Sequence, residues 1–162
     1  MTERVVTNAS PFILLSKAGL IDLLPALFNE ILMPESVWEE IAQTIDIARE
    51  NLFSFEKKWI RSACPIVDEV RIWNLGDGET EVLSLTLLNK HSHTALIDDR
   101  AARRCADTLE IRTLGTGGIL ILAKNRDLIS NVKVELDKLI RVGLYISGDV
   151  RSAILKQADE SA

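Results

Sequence analysis

The stretch TALIDDRAARRCADTLEIRTL constrains the fold more than any other part of the chain. TALI is an apolar run too short for a helix, two aspartates close it, RAARRCADTL follows as a helix, and EIRTL again reads as a strand. Strands and helices that alternate in this way predict a parallel sheet covered by helices on both faces.

The remaining segments repeat the alternation. Val5 and Val6 belong to a short β-branched strand that stops at Asn8, and Ser10 with Pro11 reads as an N-cap followed by proline at the first helical position. Gly19 ends that helix, LIDLLPALF is another helical piece, and EILMP is a brief strand closed by Pro34. SVWEEIA opens a helix in which Ser36 and Glu39 have capping-box spacing, and Ile45, Ala48, Leu52, Phe55 and Trp59 continue it as a core-facing stripe. IVDEVRIWNL is poorly patterned. A Gly-Asp-Gly turn then leads into ETEVLSLTLLNK, a helix with a broad apolar face. The tail offers two helices split at Gly143, the second capped by Ser147. With no repeat, low-complexity tract or linker, residues 1–162 are expected to form one domain of the α/β class.

Composition narrows the function classes. The chain is 47% hydrophobic and 27% charged, which suits a globular core rather than a disordered segment. Its net charge of -5 supplies no global field for nucleic acid, so any polyanion must be held by a local patch. Cys64 and Cys105 have no CxxC spacing, so free thiols in a reducing cytosol are expected rather than a zinc site or disulfide framework. The greasiest stretch, SPFILLSKAGLIDLLPALF, is broken by Lys17, Asp22 and Pro25, and neither a signal peptide nor a membrane span is expected.

In an open α/β sheet the strands end at one rim, and side chains just beyond them share a crevice. The candidates there are Asn8 and Ser10 after the first strand, Asp98 and Asp99 after TALI, and Gly115 to Gly118 after EIRTL. Glu79 and Glu81, at a helix start after the glycine turn, can face the same crevice. Clustered carboxylates without His or Cys are hard oxygen donors suited to Mg²⁺ or Mn²⁺ rather than zinc. Each acid also has a structural account: Asp99 caps the following helix, Glu79 and Glu81 complement a helix dipole, and Glu39 and Glu40 form a solvated face.

Other signals are weaker. His91 and His93 lack a third ligand and read as loop histidines. GTGG lacks the Gly-Lys-Ser/Thr ending of a phosphate loop and reads as a tight turn that brings Thr116 near the site. Ser10 has no obvious histidine base, so capping is its expected role, with a hydrogen bond into the site. Arg100, Arg103 and Arg104 fall at helical spacing beside the acid pair, either to grip a phosphate backbone or as a salt-bridged surface. Trp38, Trp59 and Trp73 are scattered, as core or interface residues are.

Five segments in order, VVTNASPFILLSKAGLIDLL, LMPESVWEEI, LGDGETEVLSL, ALIDDRAARRCA and LGTGGILILAK, resemble the PIN-like domains, specifically a poorly characterised prokaryotic branch related to VapC-type toxins. The resemblance runs from the first strand through Lys124, and the tail is compatible with the family's terminal helices. It implies a three-layer α/β/α sandwich with a mainly parallel central sheet. It also implies a Mg²⁺- or Mn²⁺-dependent endoribonuclease in the cytoplasm, with RNA as substrate, a small antitoxin protein as partner, and a homodimer.

Carried across the matching segments, the family's first-strand acid falls on Asn8 and its next helix acid on Glu40. The GETE acids are Glu79 and Glu81, and the DD pair is Asp98 and Asp99. As implied metal ligands this gives Asn8, Glu40, Glu81 and Asp99, with Ser10, Arg100, Arg103, Arg104 and Thr116 toward substrate. Asn8 departs from the family pattern, since an amide oxygen can coordinate Mg²⁺ but lacks the full negative charge of a carboxylate. That departure motivates the alternative of an RNA-binding or regulatory module with weakened catalysis. A phospho-acceptor receiver would carry its acid pair after the first strand, whereas this pair comes much later.

Overall fold

The computed structural model describes residues 3–54 and 58–161. Strand β1 (Arg4–Thr7) buries Val5 and Val6 completely, as β-branched residues do in a strand covered on both faces. Helix α1 (Ala9–Lys17) follows, then a turn through Gly19 at φ +73 and helix α2 (Leu23–Leu27). Strand β2 (Glu30–Pro34) leads directly into α3 (Glu35–Ala42), and α4 (Ile47–Ser54) precedes β3 (Ile60–Ser62). Next come α5 (Asp68–Arg71), α6 (Asp77–Leu88) and β4 (His93–Leu96). Helix α7 (Arg100–Thr108), β5 (Thr113–Leu114) and α8 (Thr116–Asn125) complete the sheet region, and α9 (Val132–Arg141) and α10 (Gly148–Gln157) follow.

The strands form one sheet in the order β3-β2-β1-β4-β5, and every pairing is parallel. With helices on both faces, this is a three-layer α/β/α sandwich, and its sheet is purely rather than mainly parallel. Strand β1 lies at the centre, where the winding changes direction, so its carboxyl end opens at the topological switch point. The core on either side of the sheet includes Phe12, Leu15, Leu24, Met33, Leu83 and Ile119.

Several local expectations are corrected. Helix α1 begins at Ala9 with Asn8 in the capping position, while Ser10 lies exposed inside the first turn. The cause is the sheet: the Asn8 N–H donates to Leu96 O at 3.0 Å, extending the β1–β4 ladder up to the helix start. Pro11 is still tolerated because the first-turn N–H groups lack helical acceptors. No capping box forms at α3, which starts before Ser36, and the Ser36 N–H instead donates to Glu81 Oε2 at 3.1 Å. The proposed long stripe is interrupted after α3, where Asp46 Oδ1 accepts from the Ala48 N–H and starts α4. Ala48 and Leu52 are buried as expected, Ile45 is 95% exposed, and Phe55 lies outside the described residues. Trp59 is buried beyond the helix, its ring edge-on to Phe12 at 5.1 Å.

GTGG is not a free turn. Gly117 and Gly118 lie within α8, where an added Cβ would fall 2.5 Å from Ile154 Cδ1 and 2.5 Å from Leu114 Cδ1, respectively. The two glycines therefore let α10 and β5 close against α8. His91 is exposed, but His93 is buried at the start of β4, with Nε2 2.9 Å from Glu30 Oε1 and Nδ1 2.7 Å from Ser92 Oγ.

The chain's last described turn is fastened to the tail helices by Glu160. Its carboxylate accepts from Val132 N–H at 2.7 Å, Lys133 N–H at 2.9 Å and Lys124 Nζ at 2.9 Å. Burial alone would raise this carboxyl; the Lys124 ammonium and the two backbone donors outweigh it and hold the pKa below the ordinary value.

Candidate active site

Asn8 is the side chain at the end of the central strand, and it is 5% exposed. Its Nδ2 donates to Glu79 Oε1 at 3.4 Å, while its Oδ1 faces Gly78 so closely that a Cβ there would lie 3.0 Å away. The glycine turn thus does more than reverse the chain. Gly78 allows the first turn of α6 to approach the end of β1, and this approach sets Glu79 beside Asn8.

Glu40 belongs to the same neighbourhood. Its carboxyl is pushed above the usual range, first by desolvation and second by the negative charge of Glu79. Neither acid has an ion pair among the described residues.

Glu81 points elsewhere because residues two apart on a helix do not share a face. It accepts from Ser36 N–H at the start of α3. Burial raises its carboxyl, the Ser36 bond opposes the rise, and Asp77, Glu35 and Glu39 add to it. Glu35 itself is held low by its hydrogen-bonded pair with Arg61.

The acid pair after β4 also divides. Asp98 Oδ1 accepts from the Thr116 N–H at 2.7 Å, and its Oδ2 accepts from Thr116 Oγ1 at 2.6 Å, joining the end of β4 to the start of α8. A Cβ at Gly115 would lie 3.0 Å from Asp98 Oδ1 and 2.9 Å from Arg103 Nη1, so this position must stay small. Asp99 caps α7 by accepting from the Ala102 N–H at 2.9 Å.

The three arginines do not form one basic face. Arg103 is half-buried and its Nη1 donates to Ile97 O at 3.2 Å, whereas Arg100 and Arg104 are exposed. Ser10 is exposed as well, and Thr116 is wholly buried.

The rim therefore brings Asn8, Glu40 and Glu79 to one corner, with Asp98, Thr116 and Arg103 at the end of the adjacent strand. Glu81 is tied to the Ser36 N–H and Asp99 to the Ala102 N–H, while Ser10, Arg100 and Arg104 are exposed. Among the described residues, no three His, Cys, Asp or Glu side chains form a group able to hold a metal ion by themselves. The corner's donors are an amide oxygen and carboxylates, which fit a hard divalent cation by type. Gly78 was readable only as a turn residue, although its position ahead of an acidic helix start was a signal for close approach.

A family model described as a PIN domain matches residues 4–160. The chain belongs to the PIN domain family. The match extends beyond Lys124 and takes in the α9 and α10 region. PIN domains are generally nucleases, so the chain has a nuclease-type fold. No curated protein matches the chain. Among the described residues, no helix is long and apolar enough to cross a membrane.

Proposed function

We propose that this PIN domain is a metal-dependent endoribonuclease and the toxin of a toxin–antitoxin pair, acting on RNA in the cytoplasm and neutralised by a small partner protein. The observation that supports it is the contact of Glu79 with buried Asn8 at the switch point, with Glu40, although exposed, near enough for partial desolvation and the Glu79 charge to raise its carboxyl. Like charges brought near each other cost stability, and a cation between them relieves the repulsion. Asn8 Oδ1, Glu79 and Glu40 would hold Mg²⁺ or Mn²⁺. When bound, such an ion lowers the pKa of a water and offsets charge on the scissile phosphate.

The chain's own residues then have distinct tasks. The Asn8 amide orients Glu79, Gly78 keeps the approach open, and Asp98 with Thr116 fixes the neighbouring strand end. Arg103, held over Ile97 O beside that corner, supplies local positive charge for the RNA backbone. A homodimer is part of the same proposal.

Asn8 also supports a second reading, an RNA-binding module whose turnover is weakened because the corner is one negative charge short. One experiment separates the two: mixed RNA is incubated with the native protein, Glu79→Gln and Asn8→Asp, with and without Mn²⁺. The nuclease reading expects native cleavage that needs Mn²⁺ and is lost in Glu79→Gln. An inert native protein with an active Asn8→Asp variant favours the module. No cleavage by any form, together with no Mn²⁺ binding, overturns the metal-dependent nuclease.

A further inference from the structure

A cavity of about 700 Å³ opens at the opposite end of the sheet, where the strands begin. Its wall includes Val5, Thr94 and Arg112, one each from the β1, β4 and β5 tracks, with Phe28 and Leu122 beside them. Register accounts for the row: Val5 pairs with Thr94, and the pairing of Ala95 with Thr113 sets Arg112 level with Thr94. Farther along the same face, Leu96 pairs with Leu114, and Gly118 lets α8 close on that leucine. At the amino end Thr94 stays half-exposed, although strands inside a covered parallel sheet are ordinarily apolar and buried.

The uncovered groups have a definite chemistry. The Thr94 hydroxyl and the Arg112 guanidinium, which share one face, have no hydrogen-bond or ion-pair partner among the described residues. Neighbouring charges are already matched: Arg4 lies 4.0 Å from Glu30, and Arg126 lies 2.7 Å from Glu3. Arg112, exposed and unpaired, is therefore the unmatched charge at a cavity whose apolar wall is made by Val5, Phe28, Leu114 and Leu122 and whose rim carries Glu3, Arg4, His91 and Ser92.

We propose that this cavity binds a small organic anion, with its carboxylate or phosphate on Arg112 and the Thr94 hydroxyl and its apolar body against Phe28 and Leu122. Its volume falls within the range of about 300–1,000 Å³ common for ligand pockets. The site is independent of the rim, so its fate does not depend on nuclease activity.

Fluorescence titration of the whole chain with anilinonaphthalene sulfonate, an anion on an aromatic body, tests the proposal. Saturable one-site binding is expected, weakened roughly tenfold in Arg112→Ala, since a charge-assisted hydrogen bond contributes enough for that change. Thr94→Val, nearly isosteric, should weaken it by a smaller factor, and Arg141→Ala on α9 should leave it unchanged. Octanoate and adenosine monophosphate are the competitors: displacement by the first assigns a carboxylate ligand, by the second a phosphate. Native affinity in both the Arg112→Ala and Thr94→Val variants, or no displacement by either competitor, overturns the proposal.

Discussion

Glu160 and Glu79 are both partly buried carboxylates, yet their surroundings are opposite. Glu160 is met by an ammonium and two backbone N–H donors, and its pKa falls. Glu79 meets an amide N–H at 3.4 Å and a second carboxylate, Glu40, whose pKa rises. One region spends its acid on holding the chain together. The other keeps like charges close without a base, which stability alone does not favour.

Mutation should sharpen that contrast. The largest effect expected is in cleavage: Glu79→Gln should lower Mn²⁺-dependent RNA turnover by about 100-fold or more, as losing a group that supports metal catalysis does. Glu81→Gln, on the other side of α6, should change turnover far less, and a comparable loss in both variants would erase the distinction between the two acids.

Next in size is Glu160→Gln, expected to destabilise the fold by about 1.5–3 kcal/mol, the scale of hydrogen bonds to a charged group. Denaturant unfolding checks it. Because the folded pKa of Glu160 is lowered, its contribution is present above the unfolded pKa and is lost as pH falls through the folded one. The native protein should therefore lose stability on acidification more steeply than Glu160→Gln.

Asp99→Ala removes the cap of α7 and should cost about 1 kcal/mol of stability. Turnover per folded molecule should persist, whereas its abolition would return Asp99 to the site. The smallest effect is that of Glu40→Gln on stability. Its raised carboxyl makes the charged form unfavourable in the folded chain, so the native protein should lose stability relative to the variant as pH rises, and the variant should match or slightly exceed the native melting temperature. A clear loss of stability would contradict the repulsion between Glu40 and Glu79.

Much of the architecture was legible because β1 and β4 are short apolar runs closed by polar residues, each followed by a helix with a buried face. Strand β3 was not, because it is an edge strand of three residues with Ile60 48% exposed and Arg61 in an ion pair with Glu35. Its pattern is set by a neighbour rather than by burial. At the rim, position followed from topology, but the orientation of each acid pair did not. Whether Glu79 or Glu81 turns inward depends on how α6 is rotated by its buried Val82, Leu83 and Thr86. Whether Asp98 or Asp99 caps α7 depends on where Thr116 arrives from a later strand. Neither fact is local to the sequence that carries the acids.

The central placement of β1 also orders events in time. Its partners β2 and β4 both follow it in the chain, and the Asn8 N–H is held by Leu96, which is synthesised long after Asn8 itself. During translation the first strand must wait for that distant carbonyl, since non-local parallel pairing forms only after the intervening chain exists. The rim corner is consequently completed only by residues made well after Asn8, from Leu96 through Thr116.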